Sequence, residues 1–123
     1  VLLQLERPQE ARPLLVEAVD MAVRYSGPGS MLHVAALSGL SEAEVAAGLN
    51  GEAAAEKAVS LAGENPAAQA MAHIAYGRAL AHVGKADQAR EALARAEAAL
   101  PALGPAGARL KQTLDSVRET YAL

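Results

Sequence analysis

Between Asn65 and Pro101 the sequence spells out a complete helical hairpin, with a start, a break and a stop. Asn65-Pro66 is a helix start: an Asn side chain accepts from free first-turn amides, and Pro at the first helical position gives up no hydrogen bond. From Pro66 to about Val83, the residues Ala70, His73, Ala75-Tyr76, Leu80 and Val83 recur at helical spacing. Gly84 follows directly, where a left-handed residue ends a helix at little cost. Asp87 opens a second helix whose Ala89, Ala92-Leu93, Ala96 and Leu100 share one face, and Pro101 closes it. Glu91 and Arg95 pair at i,i+4 on the outer side. So short a break between two amphipathic segments folds them back as an antiparallel hairpin. A lone hairpin cannot bury its apolar face, so the pattern demands neighbours.

The rest of the chain supplies them. Laid over Leu80–Glu97, the segment Leu2–Val19 puts Leu2 on Leu80, Leu5 on Val83, Ala11 on Ala89, Arg12 on Arg90, Leu15 on Leu93 and Ala18 on Ala96. Glu6-Arg7 falls where Gly84-Lys85 lies. Ser26–Ser30 reads as a loop. A helix is predicted from Met31 to about Ser38-Gly39, and the capping-box pattern Ser41–Glu44 predicts a fresh start there. Asn50-Gly51 is the next break, and Glu52–Ala62 is helical until Gly63. The middle unit is therefore expected to be degenerate, with an extra turn or a split helix. After Pro105, the residues Leu110, Leu114, Val117 and Tyr121 form one apolar stripe.

Composition explains how such helices pack. About a quarter of the 123 residues are alanine, there is no Phe or Trp, and Tyr25, Tyr76 and Tyr121 are the only aromatic residues. A core without large rings needs closely approaching helices, which alanine both allows and favours. β-Branched residues are sparse, which disfavours strands. With no cysteine, disulfides and thiolate chemistry are excluded. A net charge of −3 speaks against a nucleic-acid footprint, which needs a basic patch. No apolar run is long enough for a membrane span, and the first residues lack the features of a signal peptide, so a cytoplasmic protein is expected.

The segment 70–103 resembles a tetratricopeptide repeat (TPR), a unit of about 34 residues. Gly77 matches the small residue of its first helix, Tyr76 and Leu80 the flanking large positions, and Gly84 the turn. Ala89 and Ala96 match the small residues of the second helix, Leu93 the large one between them, and Pro101 the terminal proline. His73 departs, standing where the family often has Trp. The resemblance implies an all-α, right-handed stack of antiparallel helix hairpins: the second half of a repeat over 1–25, a degenerate repeat over 29–63, the best repeat over 66–103, and a capping helix over 105–121. A chain that begins in mid-repeat with Val1-Leu2-Leu3 is expected to be a piece of a longer protein, or to cover that end by pairing as a homodimer. The Ala- and Arg-rich style resembles repeats of multidomain bacterial regulators.

In such stacks the first helices line a concave groove, which implies that Met71, Ile74, Arg78, Ala81 and His82 face it. Arg78 suits a carboxylate on a protein or peptide partner. The family's carboxylate clamp uses groove Asn and Lys together, whereas Asn50 and Asn65 fall in loops. Other chemistries find less support. His73 and His82 lie nine residues apart and point to opposite sides of one helix, so no metal site is expected; His73 is the one expected to be buried. Gly39–Val59 resembles a helix-turn-helix, but its second helix offers Lys57 as the sole cation against Glu52 and Glu56, so direct DNA binding is not expected. No Gly-rich phosphate loop or Ser-His-acid order is present, and Glu42 and Glu44 at i,i+2 face apart. The sequence thus predicts a non-enzymatic protein- or peptide-binding scaffold without a cofactor. The alternative is the regulatory region of a bacterial transcriptional regulator whose DNA-binding domain lies elsewhere.

Overall fold

The computed structural model describes the backbone of residues 8–123 and the side chains of residues 12–123. Six α-helices follow one another: α1 (Pro8–Ser26), α2 (Met31–Ala46), α3 (Glu52–Ala62), α4 (Pro66–His82), α5 (Ala86–Ala99) and α6 (Pro105–Thr120). A 3-10 turn at Leu100–Leu103 separates α5 from α6. There is no strand among the described residues, so the chain is all-α there. No described helix is long and apolar enough to cross a membrane. The predicted break at Glu6-Arg7, and the side chains of Leu2, Leu5 and Ala11 of the proposed register, lie outside these descriptions.

The hairpin from Asn65 onward forms as its sequence predicts. Asn65 Oδ1 accepts from the Ala68 amide at 3.1 Å, and Pro66 opens α4. At the far end the Lys85 amide bonds back to the Leu80 carbonyl at 2.9 Å while Gly84 sits at φ +85°, the left-handed stop that glycine adopts without strain. The same closure ends α2, where Leu49 reaches Glu44 at 2.7 Å past Gly48. It ends α6 as well, where Leu123 reaches Arg118 at 2.8 Å past Ala122, a non-glycine at φ +56°. Three alternate helices thus share one terminal geometry.

The middle segment departs from expectation. No break occurs at Ser38-Gly39 and no helix starts at Ser41; α2 runs through both. Each small polar residue is satisfied within the packed structure: Ser38 Oγ donates to the Val34 carbonyl at 2.9 Å, and buried Ser41 donates to the Gly51 carbonyl at 2.8 Å. Ser41 therefore ties α2 to the entrance of α3 and caps nothing. Glu44 makes no box with it and pairs instead with Arg12 of α1 at 3.3 Å. The Asn50-Gly51 break is real: Asn50 Oδ1 accepts from the Glu52 amide as α3 begins.

Packing follows one rule. α2 lies against both α3 and α4, which also touch each other; α4 lies against both α5 and α6, which likewise touch. α1 packs on α2 alone among the described helices. In the first layer Val34 and Leu37 of α2 sit on Ala54, Ala58 and Ala62 of α3 and Ala68 and Ala72 of α4. In the next, Ile74, Leu93 and Ala96 meet Leu114 and Val117 of α6. Leu114 and Val117 are buried, while Leu110 and Tyr121 pack at the margin, so the predicted C-terminal stripe is the inner face of α6. Leu15, set on Leu93 by the sequence register, is only half-buried, because α1 has a neighbour on one side.

Candidate functional site

The C-terminal halves of α2, α4 and α6 line one shallow cleft of about 360 Å³. Each helix offers one face at helical spacing: Glu42, Val45 and Ala46 from α2, Arg78 and His82 from α4, and Val117 and Thr120 from α6 with Tyr121 at its C-terminal cap and Ser116 beside them. The cleft mixes a cation, an anion, hydroxyls and apolar carbon.

Of the five residues expected to face a groove, Arg78 and His82 line this cleft. Ile74 does not: it is 2% exposed and packs with Leu93 and Leu114. Its apolar position points toward α5 and α6, and the arrival of α6 closes over it. Ala81 packs beside the Leu80, Ala89 and Ala92 cluster, and Met71 is half-buried outside the cleft lining. Glu42 and the α6 residues escaped sequence reasoning. The i,i+3,i+4 recurrence at 42–46 and 117–121 was visible, but which helices stand side by side was not.

Glu42 and Arg78 approach to 3.9 Å, too far for a hydrogen bond, and both side chains are partly exposed. Burial pushes the Glu42 carboxyl above its ordinary value, and the Arg78 guanidinium pulls the other way without cancelling that rise. The folded chain thus holds a proton at Glu42 to higher pH than the unfolded chain does. Stability falls as pH rises through that interval, and the penalty is complete above it. Glu42→Gln is therefore expected to raise the urea midpoint at about pH 7. Near pH 3.5, below the ordinary value of 4.5, the midpoint should change little. Urea titrations of both chains at the two pH values check this.

A second cleft of about 400 Å³ lies across α4 from the first, lined by Val59, His73, Tyr76, Leu80, Gln88, Glu91, Ala92 and Arg95. His73 is not the buried histidine; it is half-exposed there, with Nδ1 2.8 Å from the Gln69 carbonyl. The buried one is His33, 3% exposed, whose Nδ1 accepts from the Gly29 amide at 2.9 Å. That bond fixes the remaining proton on Nε2, which has no partner among the described residues. His33 thereby fastens the Gly27–Ser30 loop to α2, a role that no spacing rule reveals. His33, His73 and His82 lie in three different environments, and no group of three His, Asp or Glu side chains fit for a metal occurs among the described residues.

In the helix-turn-helix-like segment, Ala54, Ala55, Ala58 and Ala62 bury one side of α3, and Glu56, Lys57 and Ser60 are exposed. Glu52 is held by Lys85 at 3.1 Å. Across α5 and α6, Glu97 binds Arg118 at 3.0 Å and Lys111 at 3.6 Å, and these cations hold its carboxyl below the ordinary range. Comparison with protein-family models, with curated proteins and with solved structures gave no match.

Proposed function

We propose that this chain is a helical-repeat scaffold of tetratricopeptide type, holding a peptide segment of a protein partner in the cleft across α2, α4 and α6. The observation that carries the reading is the convergence of Arg78 and His82 with Glu42 and Tyr121 from three alternate helices on one open surface. The common terminal closure of those three helices and the repeated packing rule support it. Arg78 forms no hydrogen-bonded pair with Glu42, so its donors are available to a partner's carboxylate or backbone carbonyls. Tyr121 offers a ring that loses little freedom on contact. The exposed side of α3, with Glu56 beside Lys57, is a poor match for phosphate, so nucleic acid is not included in the proposal.

The test begins with peptides selected from a random display library on the immobilised chain. Their affinities are then measured by fluorescence polarisation for wild type, Arg78→Glu, Tyr121→Ala and the second-cleft control Arg95→Ala. Arg78→Glu and Tyr121→Ala are each expected to weaken binding about tenfold or more, a loss typical of a central contact residue, and Arg95→Ala to leave it unchanged. Loss confined to Arg95→Ala would move the site to the other side of α4 and defeat the proposal.

A further inference from the structure

Most large exposed apolar side chains among the described residues are concentrated at one corner. Leu14, Met21 and Tyr25 of α1 and Met31 and Leu32 of α2 lie there, whereas Val16, on the opposite side of α1, and Leu49 and Val83, at turns, are the others exposed among the described residues. Between α1 and α2 this surface forms a recess of about 500 Å³, with Ala18, Ala22, Ala35 and Ala36 as its floor and Met21, Tyr25 and Leu32 as its walls. Scattered apolar residues on a surface need no explanation, but a contiguous recess of this kind marks an interface.

The molecule itself shows what such a recess accepts. α2 rests on the alanines of α3 and α4, and α4 rests on α5 and α6. The pair α1–α2 carries no corresponding helix among the described residues. On α1 the residues Leu14, Ala18, Met21 and Tyr25 follow a four-three-four spacing, the seam of a helix that meets another helix. This seam is set about a quarter-turn around α1 from Leu15, Val19 and Ala22, which face α2. α1 therefore has two apolar faces, and α2 uses one.

We propose that a second copy of this chain covers the corner, with α1 packed antiparallel on its counterpart about a two-fold axis. Two observations select a copy. The opposite end of the fold cannot accept the corner, because the outer side of α6 presents Arg109, Gln112, Asp115, Ser116 and Glu119. Head-to-tail stacking is thereby disfavoured, and a closed self-complementary contact remains. The charges beside the seam are also self-complementary. Glu17 and Arg24, both exposed, lie seven residues apart on the same flank. Antiparallel pairing centred on Ala18–Met21 sets Glu17 of each copy beside Arg24 of the other, two opposite-charge contacts per dimer. Arg24 is already oriented by Asp20, at 2.7 Å. This inference does not rest on the peptide-binding cleft, which it leaves open.

Light scattering after size exclusion over a range of concentrations tests it, with circular dichroism confirming that each variant stays helical. The wild-type chain is expected to dimerise, and Met21→Glu/Tyr25→Glu, altering exposed residues only, to be monomeric. Arg24→Glu alone is expected to weaken the dimer about tenfold, and Glu17→Arg/Arg24→Glu to restore it. A wild-type chain that stays monomeric would mean that the corner serves some other helix, and the proposal would be overturned. A dimer indifferent to Met21→Glu/Tyr25→Glu would place the contact elsewhere, and failure of the double reversal to restore pairing would refute the antiparallel arrangement.

Discussion

Leu93→Ala is expected to destabilise the fold by about 3–5 kcal/mol, the upper part of the range for a buried leucine. Leu93 is fully buried among Ile74, Ala96, Leu114 and Val117, where three helices meet. The cost depends on how far neighbours relax into the space left behind. Small side chains close by, such as Ala96, have little to move, and the helices would have to shift as bodies to close the void. In urea the midpoint should fall at constant slope, and the melting temperature should drop by roughly 10–20 °C. Gly77 supplies the internal check. A methyl group on Gly77 would lie 2.7 Å from Leu93 Cδ2 and 2.8 Å from its Cγ. Gly77→Ala alone should therefore destabilise by about 1–2 kcal/mol despite alanine's better helix propensity. In the Leu93→Ala background the obstacle is gone, and the same change should become neutral or stabilising. A coupling of more than about 1 kcal/mol is expected between the two sites, and simple additivity would contradict the close approach of α4 and α5 described above.

The second large effect is expected at Gly51. A Cβ there would meet the Ser41 backbone carbonyl at 2.6 Å, Ser41 Oγ at 2.8 Å and a Val45 methyl at 3.1 Å. Unlike the Leu93 side chain opposite Gly77, the obstacle is the backbone of α2, which cannot rotate away. Gly51→Val must push α3 off α2 and break the buried bond from Ser41 to the Gly51 carbonyl. Overpacking and loss of that bond together should cost about 3 kcal/mol or more. Against a typical stability of about 5–15 kcal/mol, this is a large fraction of the whole. Circular dichroism melts of Gly51→Val and Ser41→Ala separate the parts. Ser41→Ala, which removes only the hydroxyl, should fall by about 1–2 kcal/mol, well short of the glycine variant.

The same two regions show why some of the fold was legible in the sequence and some was not. The hairpin from Asn65 to Pro101 is written in local chemistry, with a capping amide, a proline at the first position and a glycine past the end, and each of these acts within a few residues of itself. The buried face Ala89, Ala92, Leu93 and Ala96 follows from helical period alone. Ser38-Gly39 and Ser41 carry equally strong local signals of interruption, yet α2 continues: Ser38 bonds back to the Val34 carbonyl within the helix, and tertiary contacts absorb Gly39 and Ser41. Ser41 finds an acceptor ten residues on, and Gly39 stands where Leu15 of α1 comes near, 3.5 Å from where its Cβ would be. Local propensity yields to packing there. The cleft divides the same way. Arg78 and His82 were identifiable from one helix, but Glu42, Thr120 and Tyr121 join them only through the placement of α2 and α6 beside α4. Ile74 shared the right helix yet pointed into the core.

The scarcity of aromatic residues has a practical consequence. With no Trp or Phe, three tyrosines supply all the benzenoid rings of the protein, and each belongs to a different surface. Tyr121 borders the cleft across α2, α4 and α6; Tyr76 borders the second cleft across α4; Tyr25, 76% exposed, stands at the α1–α2 corner. A ligand, a crossing of α4 to its other side and a self-association event would each perturb its own ring. In a proton NMR spectrum of unlabelled protein, the tyrosine ring doublets, distinguished from the singlets of His33, His73 and His82, are in effect a three-channel record, in which occupancy of one surface can be followed while the other two serve as references.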